Sequence, residues 1–230
     1  MSTLVYMKIL ELSPASYDRW MRFLTLGRVN HIKKEIAANW INPGDNVLEI
    51  GCGTGSLAAL MTKRGARVTA VDISAKMLAE AQKKVPAADF HHLTALEIDQ
   101  FPQDKFSRIV ATLSFSELTI AELDMVLSLS ANLLKPGGLL IVADEVRATK
   151  LWQRFLAVLM RWPLAIITFL ITQQTTHVIK NFEARLTAAE KFELIQRHEY
   201  LLGTMALFIG RRSDKVSSGA AAKTGGGVPC

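Results

Sequence analysis

At 230 residues the chain has room for one sizeable core, and with 50% hydrophobic and 21% charged residues it reads as a rather greasy globular domain, not a disordered or fibrous one. Its net charge of +6 is spread out, with no block of five basic residues and no interleaved aromatics, which excludes a specific nucleic-acid groove and leaves a mild attraction to anionic surfaces. Two cysteines, Cys52 and Cys230, exclude a disulfide framework, and MSTLVYMKILELSP has no signal-peptide pattern, so a cytoplasmic setting is expected, with contact to a membrane surface left open.

Residues 1 to 45 read as helices. Leu4, Val5, Met7, Ile9 and Leu10 form a short apolar face that Pro14 breaks, and Ser16 is expected to cap a helix running to about Thr25. Val29, Ile32, Ile36 and Trp40 share one face of a helix from Arg28, which the Asn42-Pro43-Gly44-Asp45 turn ends. These helices are expected to cap a ligand site. Tyr17, in Tyr17-Asp18-Arg19, then either reaches the ligand from above or serves helix packing.

The most informative stretch follows, Val47 to Ser56, read as VLEIGCGTGS. Val47, Leu48 and Ile50 suit a buried strand; Gly51, Gly53 and Gly55 give a bend that side chains would obstruct; a helix begins near Ser56. That helix aims unpaired N–H groups and the positive end of its dipole into the turn. A second strand, Arg67 to Val71, ends at Asp72, a carboxylate placed to accept from both hydroxyls of a ribose. A dinucleotide fingerprint would place its third glycine at position 56, where this chain has Ser56. The order of Glu49, the alternating glycines and Asp72 resembles motif I and its partner acid in class I S-adenosylmethionine-dependent methyltransferases.

Further along, Ser74 caps a helix to Lys84, with Met77, Leu78 and Ala81 inward, and Ala88 to Leu93 is a third strand. The resemblance implies that Thr94, Ala95 and Leu96 line the adenine, with Glu97 or Asp99 in place of an expected acid. His91 and His92 are adjacent on a strand and point to opposite faces, so no metal pair is expected. Phe106 to Leu113 is a fourth strand, and Ser114 to Leu118 leaves its carboxyl end, where ligands of open parallel sheets sit. After a helix over 120 to 134, LKPGG turns into strand five, Leu139 to Ala143, a second point of family resemblance. Asp144 and Glu145 follow at the ligand face, as orienting or proton-accepting acids or as structural ones.

Leu151 to Ile171 is mostly apolar but carries Arg154, Arg161 and Pro163, and a central arginine costs about 2.5 to 3.5 kcal/mol on insertion scales, so a membrane span is not expected. Two short helices within a 151–180 insertion are expected instead, forming a lid over the acceptor, a homodimer face, or a hairpin dipping into a membrane surface. Phe192 to Tyr200 and Thr204 to Arg211 read as a closing hairpin, and residues 213–230 as a Gly-, Ala- and Ser-rich tail ending in Cys230.

The resemblance implies one α/β, Rossmann-like domain over residues 1–212, a seven-stranded sheet in the order 3-2-1-4-5-7-6 with helices on both faces. It implies S-adenosylmethionine as cofactor, held by Glu49, Gly51, Cys52, Gly53, Gly55, Asp72, Ile73, Thr94, Ala95, Leu96 and Leu113. The phrases VYMKILE, SPASYDRW, LTLGR, FSEL, ADEVR and ITFLITQQTTH look closest to methyltransferases encoded beside corrinoid proteins. That closer likeness implies a small-molecule or a corrinoid- or metal(loid)-linked acceptor, and a corrinoid protein as partner. A soft acceptor such as thiolate, arsenite or reduced cobalt needs no general base; an oxygen or carbon acceptor does, and Asp144, Glu117, Tyr17 and His177 are the candidates. A non-catalytic partner that docks through residues 151–171, and a nicotinamide oxidoreductase, are the competing readings.

Overall fold

A computed structural model describes residues 14–25, 27–146, 181–188 and 191–213. The expectations placed on residues 1–13, the 151–171 segment, His177 and Cys230 lie outside these residues. The chain opens with helices α1 (Pro14–Leu24) and α2 (Arg28–Trp40), then alternates β1 (Asn46–Ile50), α3 (Ser56–Lys63), β2 (Arg67–Asp72), α4 (Ala75–Lys84), β3 (Asp89–His92), β4 (Phe106–Thr112), α5 (Ile120–Leu133) and β5 (Leu134–Glu145). A short α6 (Phe182–Thr187) precedes the hairpin of β6 (Phe192–Tyr200) and β7 (Met205–Arg212). The seven strands form one sheet in the order β3-β2-β1-β4-β5-β7-β6, as expected, with β7 antiparallel to both neighbours.

Alternation along the strands builds two cores, one on each face of the sheet. Val47, Val110, Ile141, Leu207 and Ile209 turn to the side covered by α2 and α3, where Ile36, Leu57 and Met61 meet them. Their neighbours Leu48, Ile109, Leu140, Val142 and Phe208 turn the other way, against Val126 and Leu127 of α5 and against Phe182. A period of two that is apolar at every position is what a strand buried on both faces requires.

Two boundaries differ from expectation for identifiable reasons. The helix expected to be capped by Ser16 begins two residues earlier, at Pro14, so Ser16 lies inside α1; a first-turn proline lacks only an N–H that would have no intrahelical partner. Ser74 does cap α4, accepting from the Met77 N–H at 3.4 Å. The LKPGG stretch is counted within β5: Leu134 pairs with Phe106, and the next pair is Leu139 with Arg108, so the intervening residues bulge out of the ladder. Gly138 sits at the neck of that bulge, where a Cβ would fall 2.9 Å from the Lys135 carbonyl oxygen. Among the described residues no helix is long and apolar enough to cross a membrane.

Candidate functional site

A cavity of about 310 Å3 opens at the carboxyl ends of β1, β2 and β4. Its floor is the glycine turn, one wall is Asp72 and Ile73, and a second is Thr94, Ala95 and Leu96. Leu113, Ser114, Glu117 and Leu118 close the far side, and Tyr17, Asp18 and Met21 of α1 with Asn30 and Lys33 of α2 form the roof.

The three glycines of the turn serve three different purposes. Gly51 has φ +74°, and a Cβ there would lie 2.5 Å from Ser114 Cβ, so this position lets the loop after β4 touch the turn. Gly55 has φ +70°, with Ala81 Cβ 2.9 Å from where its own would be, which brings α3 against α4. Gly53 has φ +54° and no atom within 4 Å of its missing Cβ, on the cavity floor: it leaves open the space a ligand backbone-contact needs. The Gly51 and Cys52 N–H groups donate to the Val71 carbonyl at 2.9 and 3.1 Å, fixing the turn to β2. Cys52 lines the cavity but is buried, and burial pushes its thiol up, so it packs as a small neutral group.

Asp72 stands where the sequence put it. Its two oxygens accept from the Gly53 N–H at 2.7 Å and the Ser74 N–H at 2.8 Å, and burial raises its pKa against those bonds. A carboxylate has about four acceptor sites, so it keeps capacity to accept from a hydroxyl beside these backbone donors. Glu49 is a correction to the expected contact set. It is fully buried and does not line the cavity, and among the described residues its carboxylate makes no full hydrogen bond, the nearby Ala58 N–H being too poorly placed to count as one. Burial pushes it up to about 8, the Lys33 charge opposing and the Asp72 charge reinforcing the rise. Lys33, which the sequence reading missed, donates to Ser56 Oγ at 2.7 Å, and burial lowers its pKa while Glu49 opposes.

On the far side, Leu113 adopts φ +59°, an uncommon conformation for a side-chain-bearing residue, and so turns Ser114 back to donate to the Ile50 carbonyl at 2.9 Å. Asp144, expected to face an acceptor, does not line the cavity. It is fully buried: Oδ2 accepts from the Phe115 and Ser116 N–H groups at 2.9 and 3.0 Å, and Oδ1 from the Glu145 N–H at 2.7 Å. It anchors the turn that carries Glu117, and burial pushes it up to about 6 despite those bonds. Tyr17 and Glu117 do line the cavity. Glu97 folds back instead, accepting from Thr94 N–H and Oγ1, and neither it nor Asp99 reaches the cavity. His91 bonds to Asp89 and His92 to the Ile73 carbonyl, and among the described residues no cluster suits a metal.

A family model described as a methyltransferase domain matches residues 47–138. An uncharacterized methyltransferase of Synechocystis sp. is 28% identical over 179 residues, covering 77% of this chain and 80% of that protein. The phosphatidylethanolamine N-methyltransferase of Cereibacter sphaeroides is 32% identical over 143 residues, 59% of this chain and 68% of its own. Among solved structures, the Burkholderia thailandensis 1,6-didemethyltoxoflavin-N1-methyltransferase, bound to 1,6-didemethyltoxoflavin and S-adenosylhomocysteine, shares the fold. It does so with a TM-score of 0.63 at 16% identity, over 93% of this chain and 92% of that one.

The buried Asp144 sets a pH dependence with a definite sign. Its native pKa of about 6 lies above the unfolded value near 4, so between those limits the native protein binds the extra proton and gains stability as pH falls. Chemical denaturation at several pH values should show the wild type gaining on Asp144→Asn by up to about 3 kcal/mol from pH 6.5 to 4, the equivalent of about two pKa units. A gap that narrows over that range contradicts the assignment.

Proposed function

Because this chain belongs to the class I S-adenosylmethionine-dependent methyltransferases, we propose that the cavity over the glycine turn holds the adenosyl cofactor and that a small-molecule nucleophile enters from the side of Tyr17 and Glu117. The observation that carries this reading is the pairing of an open floor at Gly53 with the Asp72 carboxylate bonded directly to the Gly53 N–H. The residues present fit the group: bare backbone where a ligand must come close, a carboxylate with acceptor capacity for a ribose, and Thr94 to Leu96 for an adenine.

When bound, the cofactor supplies a methyl carbon already activated on a sulfonium sulfur. The chain's own residues therefore have mainly to align a nucleophile and keep water out. Met21, Leu113 and Leu118 give apolar walls, and Ser114, fixed to Ile50, holds the acceptor side against the cofactor turn. Asp144 positions that side through the Phe115 and Ser116 N–H groups, and Tyr17 and Glu117 are the groups placed to accept a proton. Family membership favours an enzyme over the docking-only and nicotinamide readings. The phosphatidylethanolamine relative supports a nitrogen acceptor. A corrinoid- or metal(loid)-linked acceptor is the second reading, and its support is the run of phrases from VYMKILE to ITFLITQQTTH.

Turnover of S-adenosylmethionine to S-adenosylhomocysteine with a panel of amines, arsenite and a reduced corrinoid tests the acceptor: amine-dependent turnover supports the first reading, cobalt- or arsenic-dependent turnover the second. Asp72→Ala should weaken S-adenosylhomocysteine binding by about 1.5 to 3 kcal/mol in calorimetry, the scale of hydrogen bonds to a charged group, and an unchanged affinity would mean the ribose lies elsewhere. Glu49, held near pH 8 by burial, is largely protonated at neutral pH, and a cation bound beside it lowers that pKa. Binding of S-adenosylmethionine at pH 7 should thus release a fraction of a proton, read as a buffer-dependent heat that Glu49→Gln abolishes.

A further inference from the structure

We propose that Asp18 is a positioning residue that holds α1 down across the cavity and thereby governs how fast the cofactor leaves. The proposal rests on the cofactor reading above. Asp18 sits midway along α1, between Tyr17 and Met21, the two α1 side chains that face the cavity with it. Its carboxylate reaches two other parts of the site. Oδ1 accepts from Thr54 Oγ1 at 2.7 Å, and Oδ2 from Lys84 Nζ at 2.5 Å. Thr54 follows Gly53 on the cavity floor and is 3% exposed, while Lys84 ends α4, whose Met77 also lines the cavity. One carboxylate therefore joins roof, floor and side wall, across 36 residues to Thr54 and 66 to Lys84.

With Asp18 bonded, Tyr17 and Met21 form part of the surface a bound ligand touches; with α1 lifted, those contacts go. A ligand held by both roof and floor favours the lowered helix, and by reciprocity whatever stabilises the lowered helix tightens the ligand. The link to Lys84 is between side chains 41% and 37% exposed, so salt screens it, whereas the link to buried Thr54 is screened much less. Salt should accordingly loosen the roof through Lys84 alone. Asp18 touches no reacting atom in this scheme; it acts through the helix it holds.

The test follows release of labelled S-adenosylhomocysteine from the full-length protein, chased with excess unlabelled compound. Asp18→Ala should speed release about tenfold with association changed by less than about threefold, because loosened contacts act on the bound state. Lys84→Ala should speed release about threefold and remove the acceleration that wild type shows between about 0.05 and 0.5 M salt. The double variant should release no faster than Asp18→Ala, since the Asp18 change already removes the link that Lys84 makes. Should Asp18→Ala not fold, Asp18→Asn, which keeps an acceptor for Thr54, and Lys84→Ala carry the same comparison. Release within about twofold of wild type in the folded variants overturns the proposal, as does a lowered melting temperature of the free protein with the salt response intact. Failure of wild type to bind S-adenosylhomocysteine at all overturns the cofactor reading instead.

Discussion

The site depends on a chain that must bend between β1 and α3 with no side chain in the way. Gly51 is pressed by Ser114 from one side and Gly55 by Ala81 from the other, both at positive φ, so methyl groups there would push apart the loop after β4 and the helix after β2. Everything else in the cavity takes its place from that close approach. Asp72 bonds to Gly53, Ser114 to Ile50 and Asp18 to Thr54, so wall, far side and roof each have a polar link to the turn or to the strand feeding it. A bend with side chains would leave these partners too far apart to meet.

Legibility followed the range of the interactions involved. The strands and the positions of Gly51, Gly53, Gly55 and Asp72 could be read because each follows from local pattern, strand alternation, a turn that needs positive φ and an acid at a strand tip, whereas the order of the strands in the sheet came from the family resemblance. Leu113, Thr94, Ala95 and Leu96 were placed through the likeness to known methyltransferases and do line the cavity. Orientation was not legible. Asp144 and Glu49 lie next to the ligand face in sequence, but side chains on successive strand residues point to opposite faces, and both carboxylates turn into the protein. Lys33 and Asn30 were missed because nothing local marks which side of a long amphipathic helix meets a cavity built by strands far away in sequence.

Two buried acids, Glu49 and Asp144, and the half-buried Asp72 give the site its electrical character within a chain of net charge +6. Burial raises Asp72, Glu49 and Asp144 alike, but the causes that oppose it differ: backbone N–H groups for Asp72, the Ser116 hydroxyl and then backbone N–H groups for Asp144, mainly the Lys33 charge for Glu49. Asp144 is held by three backbone donors, whereas Glu49, whose charge balance rests chiefly on Lys33, responds to whatever charge arrives nearby. A cationic ligand is thus met by groups whose protonation is poised to change and not by a fixed excess of negative charge.

Strand β7 lies inside the sheet, between β5 and β6, although it follows them both in the chain. Emerging from the ribosome, a nascent polypeptide complete through Glu145 has every parallel strand but leaves the outer edge of β5 bare, with Ile141 and Val142 lacking the partners Ile209 and Phe208. Such an edge is a template for pairing with other chains until the hairpin arrives. Synthesis of this protein therefore carries a window of vulnerability to aggregation that closes only when Met205–Arg212 slots into place, which makes the period after translation of β5 the stage at which a chaperone matters most.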